Sequence, residues 1–481
     1  MVEQCEIKFS SGTPKRGEFK MNNKKKYPHL PQEETRLRVL CLEKLNAEYG
    51  ESMTSEVKDR LDKELTAVAG SGMSGVMLIM HEWIERANLK QHELCPHGSL
   101  GASLVAWLCG LTPFDPLKTL LPFYPEFCFG FHWEKELSVE FSVPTGKGEA
   151  LFALLKEMEG VGDVIPVNGN ELSEPRYIIP KGAEYDESAR YFVLTLVESP
   201  HLRLLEQLAK RTDTDPKEIR FDDCEVFALF QNTAHPACID ISPFRLTAIG
   251  LSGVRSPDEL EFYGNVNMDL HSFSDLVRVH SMAHSTDAWK NNQDRLVYEE
   301  GFPFAKLITC REDVYEYCRT HFGFSCEEAF IAAETVRKGR GFPYELREED
   351  CPASMDCAEQ HMPVWFHEFC VYVTYLWTRV DSYCRTAVAW RCAWYRLHYP
   401  LAFYQAYFHC VAKPQIREAV FAGKEAYQAA HVSAEETEHN VMFEESNVAP
   451  YDLDCAVADE MYFRGIDLSA PIDNNRHLKQ P

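Results

Sequence analysis

The spacing of apolar residues changes along the chain. From residue 31 to about 95 they recur at helical intervals: Leu37, Leu40, Leu42 and Leu45, then Leu61, Leu65 and Val68. Such spacing lines one side of a helix with apolar groups. A short apolar run follows, Leu104 to Leu111. Between Glu134 and Val143 apolar and polar residues alternate, which predicts a half-buried strand. Tyr177–Ile179 and Tyr191–Val197 predict two more strands. From Leu202 to about Ala430 the period is mostly helical again, and a last helix is predicted near Ala456–Phe463. Residues 1–30 are polar and rich in lysine (Lys15, Lys20, Lys24, Lys25, Lys26), the pattern of a disordered leader. The tail from Ser433 is acidic, with Glu435, Glu436, Glu438, Glu444 and Glu445. The fold class is therefore α+β. A mixed part spans 31–200, a large helical part spans 201–430, and an acidic tail spans 431–481. No internal repeat is visible.

Composition narrows this picture. A chain of 481 residues, 45% apolar, is long enough for two or three domains with real cores. No run of 18 apolar residues exists, so no membrane partner is expected. The basic N-terminus has no apolar stretch of the kind a signal peptide needs. None of the 17 cysteines forms a Cys-x-x-Cys pair, and Cys370, Cys384 and Cys392 fall inside helical apolar patterns. Buried free thiols in a reducing cytoplasm are the expectation. A net charge of −25 disfavours plain DNA binding, because affinity for phosphate backbones comes from Lys and Arg.

The densest motif is Cys95-Pro96-His97-Gly98-Ser99-Leu100-Gly101-Ala102-Ser103, a Gly-Ser turn running into the apolar stretch. Glycines let the backbone approach a ligand, and unpaired N–H groups at a following helix attract anions. Other stretches accompany it in order: Glu48-Tyr49-Gly50, Arg60 to Leu65, Gly70-Ser71-Gly72, Thr212 to Lys217, Ala283 to Trp289, Cys310 to Asp313, Val336 to Gly341, Pro363 to Cys370, Ala393 to Pro400 and Ala406 to Phe408. Together they resemble bacterial C-family replicative DNA polymerases, the DNA polymerase III alpha subunit of PolC type. The resemblance runs from about Tyr27 to Ile466 and covers only the palm and fingers. It implies a polymerase-beta-like nucleotidyltransferase palm at 31–200 followed by helical fingers at 201–430. The thumb would be deleted near 167–177, and the family's other domains have no counterpart. The family's cysteine zinc knuckle is also expected to be absent, since Leu117–Phe131 holds one cysteine, Cys128.

Phosphoryl transfer of this kind needs paired Mg²⁺ ions held by carboxylates. The resemblance puts Ser138, Glu140 and Thr195 where the family has three catalytic Asp residues, so the motif is degenerate. Glu136, Glu140 and Glu198 are the carboxylates from which a replacement Mg²⁺ site would have to be rebuilt. The alternative reading of that strand is a solvated acidic face. On the nucleotide side the resemblance implicates His97, Gly98 and Ser99 of the turn, with Arg379, Asp381 and Arg385 at positions that face the nucleotide. Asp381 would repel a phosphate there. The loop Glu171–Pro175 retains none of the family's chemistry. Arg337, Lys338 and Arg340 form the remaining basic cluster, either a nucleic-acid contact or a solvated helix end. Trp289, Trp365, Trp394, Tyr395, Pro400, Tyr404 and Tyr407 are read as core rather than stacking platforms. His398 is read as a satisfied core histidine. Cys95 and His97 lack the further ligands a zinc site requires.

Two functions from different classes follow. One is a catalytically inactive relative that acts by binding replication proteins. The other is an active DNA-directed DNA polymerase with a rebuilt metal site, binding primer-template and Mg²⁺.

Overall fold

The computed structural model describes residues 25–119, 121–129, 138–167, 175–187, 189–230, 271–342, 361–430 and 453–469. Glu136, residues 171–174 and most of the acidic tail lie outside them.

Three helices open the fold: α1 (Glu33–Tyr49), α2 (Ser55–Ser71) and α3 (Ser74–Ala87). Leu37, Cys41 and Leu45 form the buried stripe of α1, and Leu61, Leu65 and Val68 that of α2. Thr54 starts α2 by accepting a bond from Val57 N–H, and Gly72 ends it in a left-handed turn.

The sheet is built from β1 (Lys25–Lys26), β2 (Cys95–His97), β3 (Ser138–Pro144), β4 (Val161–Pro166), β5 (Arg176–Pro180) and β6 (Arg190–Ser199). Its order is β2-β3-β6-β5-β4, and β1 adds to β6. β3 and β6 run parallel, with Glu140 opposite Thr195, and the remaining pairs of the main order are antiparallel. In β3, Val139, Phe141 and Val143 point into the core while Ser138, Glu140 and Ser142 take the other face. The predicted strands 177–179 and 191–197 are present and slightly longer. β2 and β4 carry no alternating pattern, and Gly162 and a register shift interrupt β4.

The expected leader is shorter than its 30 residues at the C-terminal end. Lys25 and Lys26 pair with β6, and Tyr27 and Leu30 are buried. Val167 N–H bonds Pro175 O at 2.9 Å, which holds the end of β4 beside the start of β5.

Helices dominate from Pro200: α4 (Pro200–Thr212), α5 (Phe273–His284), α6 (Arg311–His321), α7 (Cys326–Arg337), α8 (Val364–Tyr372), α9 (Arg379–His398), α10 (Pro400–Cys410) and α11 (Leu453–Phe463). The last packs Val457, Ala458 and Met461 into the helical core, so this part of the expected tail belongs to the fold. Buried Arg396 of α9 pairs with buried Glu460 of α11.

Two large apolar cores result. One joins the sheet to α1–α3 through Trp83, Phe141, Phe152, Phe192 and Leu194, and the other fills the helical part around Trp390, Tyr395 and Tyr404. The Gly-Ser segment contributes to both: Leu100 and Leu104 to the first, Cys95 and Ala102 to the second. Among the described residues no helix is long and apolar enough to cross a membrane.

Candidate functional site

The Gly-Ser turn is held from below by α2. Glu64 is fully buried and pairs with Arg60 one helical turn earlier. It accepts from Ser103 Oγ at 2.7 Å and Val105 N–H at 3.1 Å. Arg60 donates to Ala102 O at 2.8 Å. A buried carboxylate persists only with its charge paired and its lone pairs used, and here those partners fix the segment 102–105. Gly98 sits at φ +72°, in the left-handed region that suits glycine. Gly101 allows a close approach from above: a Cβ there would stand 2.5 Å from Val380 Cγ1 and 3.1 Å from Pro96 Cγ. The N-terminus of α9 is therefore seated directly on the turn.

Seated there, α9 puts Asp381 into the turn. Gly98 N–H donates to Asp381 Oδ1 at 2.7 Å. Thr378 Oγ1 donates to Asp381 Oδ2 at 2.8 Å and caps α9 by accepting from Asp381 N–H at 3.2 Å. His97 Nε2 lies 2.7 Å from Ser142 Oγ, while its Nδ1 is 3.4 Å from Glu140 and 3.7 Å from Asp381. Burial pushes the His97 pKa down; Asp381 and Glu140 oppose this and Arg385 adds to it. Ser99 Oγ accepts from Arg311, which pairs with Glu312 at 2.6 Å and Glu334 at 3.0 Å. Arg379 is likewise engaged, with Asp313 at 2.7 Å and Glu316 at 2.8 Å, and its N–H donates to Glu312 at 2.8 Å. Burial alone would raise the Asp313 carboxyl, but Arg379, Arg278 and Thr309 outweigh it and hold the pKa at about 2. Arg385 differs. Its guanidinium lies over the Trp377 ring at 4.9 Å and has no ion pair among the described residues.

The strand register decides which carboxylates can meet. Ser138, Glu140 and Thr195 share one sheet face, because Glu140 pairs with Thr195 and Ser138 lies two residues before Glu140. Glu198 lies three residues past Thr195, an odd offset that sends it to the opposite face. There it accepts from Gly148 N–H at 2.9 Å and caps the helix Gly148–Leu155. The proposed trio Glu136, Glu140 and Glu198 is thus corrected: Glu198 cannot join Glu140, and Glu136 is outside the described residues. Among the described residues of the sheet, the shared face carries one carboxylate, Glu140, beside His97, which Asp381 of α9 also approaches at 3.7 Å. That donor set does not fit a pair of divalent cations. Among the described residues no group of three or more His, Cys, Asp or Glu is placed to hold a metal.

The basic cluster is partly neutralised. Arg337 lies 3.6 Å and Lys338 3.4 Å from Glu334, and Arg337 donates to Tyr375 OH at 2.9 Å. Arg340 is exposed. Tyr395, Tyr404, Tyr407 and Pro400 are buried, while Trp289, Trp365 and Trp394 are half-buried against the same core. His398 has a partner, Asp223 at 3.0 Å, but sits half-buried at the surface rather than in the core. Arg311, which reaches the turn, and Glu312, which pairs with it, had no role assigned from sequence. Their only signal was the motif Cys310 to Asp313, whose Asp313 caps α6.

Residues 35–127, which include α1–α3 and the turn, match the bacterial DNA polymerase III alpha NTPase domain. The DNA polymerase III PolC-type of Caldanaerobacter subterraneus subsp. tengcongensis is 22% identical over 91% of this chain and 38% of its own length. That of Clostridium perfringens is 23% identical over 92% of this chain and 37% of its own. That of Thermotoga maritima is 23% identical over 81% and 36% respectively. The chain is a relative of the bacterial replicative DNA polymerase III alpha subunit. The similarity to the PolC type extends over most of the chain at low identity. It spans a little over a third of the length of these curated relatives.

Proposed function

We propose that this chain keeps the scaffold of a polymerase palm and fingers, does not transfer nucleotides, and acts in DNA replication by binding another replication protein. The observation that carries this reading is the Asp381 carboxylate on Gly98 N–H at 2.7 Å. An N–H group freed by a glycine turn is the kind of donor a triphosphate uses, and here a side-chain anion of the same chain takes it. Two of the other groups implicated in nucleotide binding point the same way, while Arg385 has no ion pair among the described residues. Ser99 is taken by Arg311, and Arg379 by Asp313 and Glu316. Two of the three positions for catalytic Asp are hydroxyl residues, which supply no charge for Mg²⁺. The parallel pairing of β3 with β6, which sets Ser138, Glu140 and Thr195 on one face, supports the nucleotidyltransferase reading of the sheet. A net charge of −25 favours a basic protein surface over bare DNA as the partner.

Primer extension on a primed template tests the proposal, with Mg²⁺ and then Mn²⁺, on wild type beside Glu140→Ala. Folded wild-type protein should give no extension with either ion. Metal-dependent extension that disappears in Glu140→Ala would establish the alternative, an active polymerase.

A further inference from the structure

A cavity of about 720 Å³ opens between α5, α6 and the start of α9, a volume in the range of small-molecule sites. Gly98, Glu140 and Thr195 do not line it. One of its walls is α5. Phe273, Val277 and Ser281 follow one another at four-residue intervals with Arg278 beside them, so they share one face of the helix. The rise of an α-helix sets Ser281 about 12 Å along this wall from Phe273. The two ends differ in character. At the first the surface is aromatic: the Phe221 ring stacks on Phe273 at 4.3 Å, and Tyr383 meets Phe273 edge-on at 5.3 Å. Phe221 and Phe273 are only half-buried. At the second end two donors are left over. Arg278 gives Nη2–H to Leu307 O at 2.7 Å and to Phe304 O at 3.3 Å, but its Nε is buried with no hydrogen-bond partner. Ser281 is 1% exposed, and its Oγ is likewise unpartnered. Buried polar groups are normally satisfied, and both of these can donate.

The charges of the lining add a sign. Lys118, Arg278, Lys306 and Arg379 face the carboxylates of Asp313 and Glu316. Arg379 takes both carboxylates, while Arg278 Nη1 stands 3.8 Å from Asp313. Asp115 offsets Lys118 at 3.4 Å. Among the lysine, arginine and acidic side chains one positive charge remains, and Lys306 is exposed where it can meet an incoming anion. A matching ligand carries a ring at one end and a singly charged pair of acceptor oxygens at the other.

We propose that this cavity binds a small aromatic monocarboxylate. Its ring lies on the wall of Phe221, Phe273 and Tyr383, and its carboxylate accepts from Arg278 Nε–H and Ser281 O–H near Lys306. The site goes beyond the replication role proposed above and stands whether or not nucleotides are transferred.

Ligand-observed NMR titration of the full chain with naphthylacetate tests this. Two compounds serve as controls: naphthylacetamide keeps the ring and loses the charge, and hexanoate keeps the carboxylate and loses the ring. Naphthylacetate should bind wild type with a Kd of about 1 mM or below, the affinity its size permits. Both controls should bind at least about tenfold more weakly. Arg278→Gln should weaken naphthylacetate binding by roughly tenfold. Ser281→Ala removes a hydroxyl that has no partner in the protein, so it should keep the wild-type Tm and still weaken binding by about threefold, which guards against a folding defect in Arg278→Gln. No binding to wild type, equal binding of either control, or unchanged affinity in Arg278→Gln and Ser281→Ala alike overturns the proposal.

Discussion

The seating of α9 on the Gly-Ser turn can be tested by adding one methyl group. In Gly101→Ala the new Cβ would meet Val380 Cγ1 at 2.5 Å and Pro96 Cγ at 3.1 Å. Backbone strain does not enter, since Gly101 is not among the residues with positive φ. Overpacking of this kind costs about 1–3 kcal/mol. The alanine recovers about 0.4–1 kcal/mol by restricting the unfolded chain. A net loss of about 1–2 kcal/mol remains, roughly 3–6 °C in Tm for a domain of this size. Val380 is 4% exposed, so Val380→Ala alone should also destabilise, by about 1–3 kcal/mol. In the double variant the removed methyls make room for the added one, and the two losses should fall short of their sum by about 1 kcal/mol or more. Thermal melts of the four proteins measure this cycle. A Gly101→Ala protein as stable as wild type, or losses that simply add, would refute the claim that α9 rests on the turn, and with it the Asp381–Gly98 bond as described.

Two further outcomes are expected. Ser138→Asp, Glu140→Asp and Thr195→Asp together put three carboxylates on one sheet face, so Mn²⁺ should raise the Tm of the triple variant and leave wild type unmoved, because an ion bound only by the folded state stabilises it. No Mn²⁺-dependent shift would show that the three positions do not converge. The second outcome concerns His201, whose buried ring has its pKa lowered from 6.5 to about 4, by burial first and by Arg385 second. Between those values the unfolded chain binds the proton and the folded one does not, so stability falls as pH drops through that window, by up to about 3 kcal/mol. Stability curves in phosphate-free buffer should show this slope in wild type and lose part of it in His201→Leu; parallel slopes would sink the assignment.

Much of the framework was legible because burial imposes a period. The odd-numbered apolar residues of 139–143 and the stripe of α2 follow directly from one-sided packing, whereas in α1 the expected Leu42 is exposed and Cys41 is buried in the stripe instead. β2 and β4 escaped because a three-residue strand and a Gly-interrupted one carry no period. The odd offset of Glu198 from Thr195 by itself sends it to the other face of the sheet. Arg337 and Lys338 were also within reach, since Glu334 precedes them by three and four residues, the spacing at which helical side chains meet. What no local pattern reveals is the neutralisation of Arg379 by Asp313 and Glu316, or the reach of Arg311 to Ser99. Those contacts join residues far apart in the chain and exist only once α6 and α9 lie together.

The membership of the Gly-Ser segment in both apolar cores gives it a second office. Leu100 and Leu104 are bound to the sheet side, and Cys95 and Ala102 to the helical side, with Glu64 and Arg60 tying the backbone between them. The segment is a mortise between two halves of the molecule. Replacing it would part the joint whether or not a nucleotide ever visits, so a turn shaped for a ligand can outlast the ligand as carpentry. By contrast Ser138 is exposed and Thr195 half-buried on the sheet face they share with Glu140, so neither side chain is locked into a core as the turn is.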